Sequence, residues 1–170
     1  MLSGLIIRLI ESIDLKALEW EGEFTHFRRM YLEAYQRSER GDAVIWIAEL
    51  PQVGIIGQLF ISLKSDRPEL ADGVTRAYIY ALRVRPAYYG MGVGTRLMQN
   101  SETDLFKRGF QHITLNVSRD NLPALHLYKR LGYRIVAADP GRWSYLDEKG
   151  FRHDVHEPAW RMEKMLTPLK

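Results

Sequence analysis

A mixed α+β fold is predicted for this 170-residue chain by three observations. Short apolar runs alternate with amphipathic ones along its length. Two early apolar runs meet across a turn at Pro51-Gln52, as a hairpin would. A later succession of apolar run, amphipathic run and apolar run, over residues 76–117, suggests a parallel pair.

Each element has a local reason. Residues 5–10 (LIIRLI) read as a first strand. Asp14 suits the N-cap of a short helix through Trp20. Residues 24–40 place Phe24, Phe27, Met30, Tyr31, Ala34 and Tyr35 at helical spacing, and Gly41-Asp42 stops them. Residues 43–50 and 53–63 form the predicted hairpin, followed by a polar loop over 64–73. Residues 76–84 are the next strand and 95–108 a helix burying Leu97, Met98 and Leu105, with Phe106 a further candidate, ending near Gly109. Residues 112–117 read as a strand. Residues 121–131 read as a helix with Pro123 in its first turn and Gly132 closing it. A strand begins over 133–138. Residues 143–146, the turn 147–150 and a return over 161–165 read as a terminal hairpin. The chain shows no repeat, no low-complexity segment and no linker long enough to divide residues 1–170 into separate domains.

Composition narrows the function classes. No apolar run approaches the ~20 residues of a membrane span, and the N-terminus lacks the basic start and cleavage site of a secretory signal. The chain has no cysteine, which excludes disulfides, thiolate catalysis and cysteine-type zinc sites. A cytoplasmic protein is the expectation. The net charge of +3 favours anionic ligands mildly, but the basic residues are dispersed, so no nucleic-acid partner and no membrane partner is expected.

The stretch Tyr89, Gly90, Met91, Gly92, Val93, Gly94, Thr95 follows a strand and opens a helix. Alternate glycines bare the N–H groups of a helix N-terminus, which suits a phosphate. Two common phosphate loops fail on spacing. A dinucleotide fingerprint needs a third glycine at Thr95 or Leu97, and a Walker A loop needs Gly-Lys-Ser/Thr, which the chain lacks. By itself the stretch is also compatible with a ligand-free glycine turn.

A second stretch, residues 121–133, has the form N-x-x-A-x-x-L-Y-x-x-x-G-Y, with Asn121, Ala124, Leu127, Tyr128, Gly132 and Tyr133. With Leu82, Val84 and Pro86 as L-x-V-x-P and with the glycine turn, in this order and spacing, the chain resembles the GCN5-related N-acetyltransferase (GNAT) family. The resemblance covers residues 76–133 by motif and the rest by element order. One departure is Tyr89, where the family pattern has Gln or Arg; Arg85 or Arg96 is a candidate for the missing charge.

The resemblance implies a central, mostly antiparallel mixed sheet of about seven strands, a splayed parallel pair and about four flanking helices. It implies acetyl-CoA (coenzyme A) as cofactor and transfer of the acetyl group to a primary amine of a small molecule, peptide or protein. Leu82, Arg83 and Val84 would pair their backbone with the pantetheine arm in the splay. Tyr89 through Thr95 would hold the pyrophosphate. Asn121 and Ala124 would lie against the pantetheine or phosphate region, and Tyr128 would face the sulfur. A homodimer is common among relatives. No metal is expected.

Chemistry sets the remaining requirements. A lysine-like amine costs roughly 4–5 kcal/mol to deprotonate at pH 7. A strand N–H near Val84 would stabilise negative charge on the acyl oxygen, and the Tyr128 hydroxyl would protonate the leaving thiolate. Tyr128 also reads as a core tyrosine with its hydroxyl on a backbone group, and Asn121 as a simple N-cap. No base is identified: relatives often carry Glu where this chain has Tyr78, and Glu49, Asp72, Asp120, His153, His156 and Glu157 are candidates that also read as ordinary surface residues. The absent glutamate equally suits a non-catalytic acyl-CoA-binding or regulatory module. Tyr78, Tyr80, Trp143, Tyr145 and Trp160 could form an aromatic acceptor wall or a plain hairpin core.

Overall fold

The computed structural model describes residues 2–167, so Met1, part of the N-terminal reading, lies outside them. The chain runs β1 (Ile6–Leu9), a 3₁₀ winding (Ser12–Gly22), a 3₁₀ turn (Thr25–Phe27), α1 (Arg28–Glu39), β2 (Ala43–Leu50) and β3 (Gly54–Ser62). Then come β4 (Arg76–Val84), α2 (Val93–Lys107), β5 (His112–Ser118), α3 (Leu122–Arg130) and β6 (Arg134–Asp139). β7 (Arg142–Leu146), β8 (Arg152–His156) and β9 (Ala159–Met165) complete it. Seven strands share one sheet in the order β1-β2-β3-β4-β5-β9-β6, and β7 and β8 form a separate ribbon. Neighbours pair antiparallel except β4 with β5.

β2 is apolar on both sides because the sheet is covered on both sides. Val44, Ala48 and Leu50 face a cluster that includes Leu97, Met98 and Leu105 of α2 and Leu125 and Tyr128 of α3. Ile45 and Ile47 face Leu18 and α1 residues Tyr31 and Ala34. Gly57 of β3 lets α2 approach: a Cβ there would stand 3.3 Å from Val93, from Leu97 and from the Arg83 carbonyl.

Three local expectations need correction. Asp14 does not cap an α-helix. It lies inside a 3₁₀ winding, where its carboxylate is taken by Arg8 at 2.9 Å and by the Glu11 N–H at 2.7 Å. The winding ends at Trp20 and Glu21, both left-handed (φ 47° and 56°), a costly geometry for non-glycine residues. The helix expected over 24–40 becomes α only at Arg28. The terminal hairpin joins different partners: Trp143 stands opposite Val155 in the ribbon, while β9 enters the main sheet between β5 and β6. Met162 explains the choice, because it is fully buried there and the exposed ribbon offers no such burial.

Candidate active site

β4 and β5 pair in register only from Arg76↔His112 to Ile79↔Leu115. Beyond those residues they part, leaving a gap between their C-terminal ends. The parting coincides with a bulge in β4. The β3–β4 register slips between Gln58↔Arg83 and Phe60↔Tyr80, and Ala81 adopts φ 52°. The Gln58 side chain, fully buried, reaches the Ala81 carbonyl at 3.4 Å.

The bulge also changes which face each residue serves. Ala77 and Ile79 face the α2 side, whereas Tyr78 and Tyr80 line a cavity on the α1 side. The extra residue shifts the phase by one, so Leu82 and Val84 return to the α2 side and Arg83 joins the cavity.

Both strands of the splayed pair end at the same edge, so α2 and α3 start beside one another. A Cβ on Gly94 would lie 3.5 Å from Leu127, a measure of how close the two helices are. At the start of α2, Gly90 and Gly92 are left-handed (φ 73° and 83°), and a Cβ on either meets nothing within 4 Å. The N–H groups of Gly90, Met91, Gly92, Val93, Gly94 and Thr95 have no acceptor among the described residues. That is an open cradle of donors at the positive end of a helix, the chemistry a pyrophosphate requires. The Tyr89 N–H is already spent on the Pro86 carbonyl at 3.2 Å. Arg85, a candidate for added charge, points away to Glu21 at 2.9 Å, and Arg96 reaches the Leu5 carbonyl at 3.4 Å.

On α3, Asn121 caps the helix by accepting from the Ala124 N–H at 3.3 Å. Tyr128 is buried, and burial with the nearby Tyr78 phenol pushes its own phenol up to about 12. No hydrogen-bond partner for the Tyr128 hydroxyl exists among the described residues, so the core-tyrosine reading lacks its backbone acceptor.

The cavity across the gap encloses about 480 Å³. Phe27, Tyr31, Phe60, Tyr78, Tyr80 and Trp143 supply aromatic wall; Arg67, Arg83, Asn116, Asp139, Arg142 and Glu157 supply the polar groups. Of the expected wall, Tyr78, Tyr80 and Trp143 are present. Tyr145 packs behind Trp143 at 5.4 Å, and Trp160 belongs to the opposite face beneath Arg119. Phe27, Tyr31 and Phe60 come from the 3₁₀ turn Thr25–Phe27, α1 and β3, segments distant in sequence from the motifs.

Of the candidate bases, only Glu157 lines the cavity. Glu49 pairs with Arg8 at 2.9 Å at the β1 side. Asp72 accepts the N–H groups of Val74, Thr75 and Arg76. Asp120 is exposed, and His153 stands 2.7 Å from Asp147 within the ribbon that also carries His156. Asp139, not foreseen, is 1% exposed and accepts from Arg67 and Arg161 at 2.9 Å each and from the Gly141 N–H at 2.8 Å. Burial alone would raise its pKa, but these donors more than offset it and hold the carboxyl well below the usual range.

Residues 11–133 match the model of the acetyltransferase (GNAT) family. Over 129 residues the chain is 27% identical to mycothiol acetyltransferase of Saccharomonospora viridis, covering 75% of this chain and 42% of that protein. The chain thus spans less than half the length of that curated relative. Among solved structures it resembles the ribosomal-protein-S18-alanine N-acetyltransferase of Escherichia coli (TM-score 0.71, 18% identity, covering 98% of this chain and 96% of that one). It also resembles Arabidopsis thaliana NAA60 in complex with acetyl-CoA (TM-score 0.71, 22% identity, 95% and 98% covered). At these identities the structural likenesses speak for the fold.

Proposed function

The chain belongs to the GNAT acetyltransferase family, and on that premise we propose that it is an acetyl-CoA-dependent N-acetyltransferase acting on the amine of a small molecule or peptide. The observation that carries the reading is the cradle of unpartnered N–H groups at the mouth of a splayed parallel pair, with an aromatic cavity on the far side.

When bound, acetyl-CoA supplies an activated acetyl thioester and a stable thiolate leaving group. The amides from Gly90 to Thr95 would hold its diphosphate. The unpaired edge of β4 from Leu82 to Val84 would take the pantetheine amides, and Asn121 and Ala124 would flank the arm. The β4 backbone beyond the Ala81 bulge would offer an N–H to developing negative charge. The Tyr128 hydroxyl, protonated at all physiological pH, would deliver a proton toward the sulfur. The cavity would hold the acceptor and keep water from it.

No carboxylate inside the cavity is suited to act as a strong base, because Asp139 is committed to Arg67 and Arg161. Deprotonation through Glu157 at the rim or through water fits the remaining groups.

Calorimetry with acetyl-CoA and a thiol-release assay across amino acids, peptides and polyamines test the reading. Micromolar binding with release that depends on an amine is the expected result. No CoA binding at millimolar ligand would remove the proposal, and tight binding without transfer to any amine class would favour a non-catalytic acyl-CoA-binding module.

A further inference from the structure

The cavity's charges are unevenly matched. Asp139 is countered by Arg67 and Arg161, and Arg67 also holds Glu69 at 2.9 Å. Glu157 and Arg142 are both exposed residues of the cavity lining, with no ion pair between them. Arg83 has no carboxylate partner among the described residues. Its guanidinium lies 4.4 Å above the Phe24 ring and 5.2 Å from that of Phe27, and donates to the Tyr31 hydroxyl at 2.9 Å. These contacts aim the group and remove water from it, but none is a counter-charge. A half-buried cation without one is stabilised by any anion that enters.

Arg83 is also close to the reaction. It stands two residues beyond Ala81, so its Cα is about 7 Å along the strand from the bulge. The bulge itself is what turns its side chain into the cavity. A flat apolar wall and, closest to the bulge, a guanidinium without a carboxylate partner among the described residues therefore border the place where an acceptor amine would lie.

Resting on the acetyltransferase reading, we propose that the acceptor is an amine bearing a carboxylate and a flat apolar group, with Arg83 pairing to that carboxylate against the aromatic wall. The same arrangement disfavours polycationic acceptors, whose second charge would meet Arg83.

Matched acceptors test this: L-phenylalanine, L-phenylalaninamide and spermidine, each with acetyl-CoA. The expected kcat/KM for the carboxylate exceeds that of the amide by roughly 10- to 100-fold, and spermidine is the poorest of the three. R83Q should bring the carboxylate-to-amide ratio near unity, and R83K should restore part of it. A second readout is binding of N-acetyl-L-phenylalanine and its amide to the CoA-loaded protein by calorimetry, where the same preference and the same loss in R83Q are expected. Equal ratios in the wild type, a preference for spermidine, or a ratio indifferent to R83Q overturn the proposal while leaving the enzyme reading intact. Absence of transfer to every amine overturns both.

Discussion

Tyr128 is a buried residue whose hydroxyl has no hydrogen-bond partner among the described residues, yet that oxygen is not closed off from solvent. The hydroxyl is thus left free to donate to a bound group, which a phenylalanine filling the same space could not do. Tyr128→Phe should therefore lower turnover roughly 10- to 1000-fold while leaving acetyl-CoA affinity little changed, as steady-state kinetics and calorimetry would report. Equal turnover in the variant would end the acid role. Asp139 poses the opposite case, a buried carboxylate with every oxygen engaged. Asp139→Asn would leave the Arg67 and Arg161 guanidiniums without the carboxylate they share and should destabilise the fold by about 3 kcal/mol, read from urea unfolding. A variant as stable as the parent would show that the two arginines find other partners.

Among elements, the start of α2 and the adjoining β3 have separable duties. Gly92 is left-handed and surrounded by open space, so a side chain there meets no protein atom but forces an unfavourable φ and covers the donors. Gly92→Val should abolish detectable acetyl-CoA binding at modest cost in stability; retained affinity would mean that the diphosphate lies elsewhere. Gly57 has ordinary φ but no room, because Val93, Leu97 and the Arg83 carbonyl would each stand 3.3 Å from an added methyl. Gly57→Ala should push α2 off the sheet and lower stability by about 1–3 kcal/mol, seen as a reduced Tm, with acetyl-CoA affinity falling alongside.

The molecule as a whole relies on carboxylates held ionised by their partners. Asp14, Glu19, Asp72, Asp139 and Glu163 all have pKa values lowered by guanidinium or amide donors. A lowered carboxyl contributes stability above its unfolded pKa and loses it as pH falls through the folded value. The fold should thus keep full stability above about pH 5 and lose it progressively below about pH 4, as acid titration of the far-ultraviolet circular dichroism would show. An acid midpoint near pH 6 would show that these carboxylates do not set the acid limit. No helix among the described residues is long and apolar enough to cross a membrane.

Periodicity and local chemistry were sufficient for the strands β1 to β5, for α2 and α3, for the parallel pair and for the glycine turn, but not for the 3₁₀ segments before Arg28, because the former are written in neighbouring residues: alternation, caps and bared amides. The ordered motifs around Leu82, Gly92 and Tyr128 added the family and with it the expectation of acetyl-CoA. What tertiary structure alone decided was pairing and facing. It moved β9 into the main sheet, assembled the cavity from α1, β3, β4 and β7, locked Asp139 between two arginines, and turned Arg83 from the α2 face to the cavity. These outcomes depend on contacts between segments far apart in the chain, and a one-residue bulge reverses every side chain after it, so no local pattern contains them.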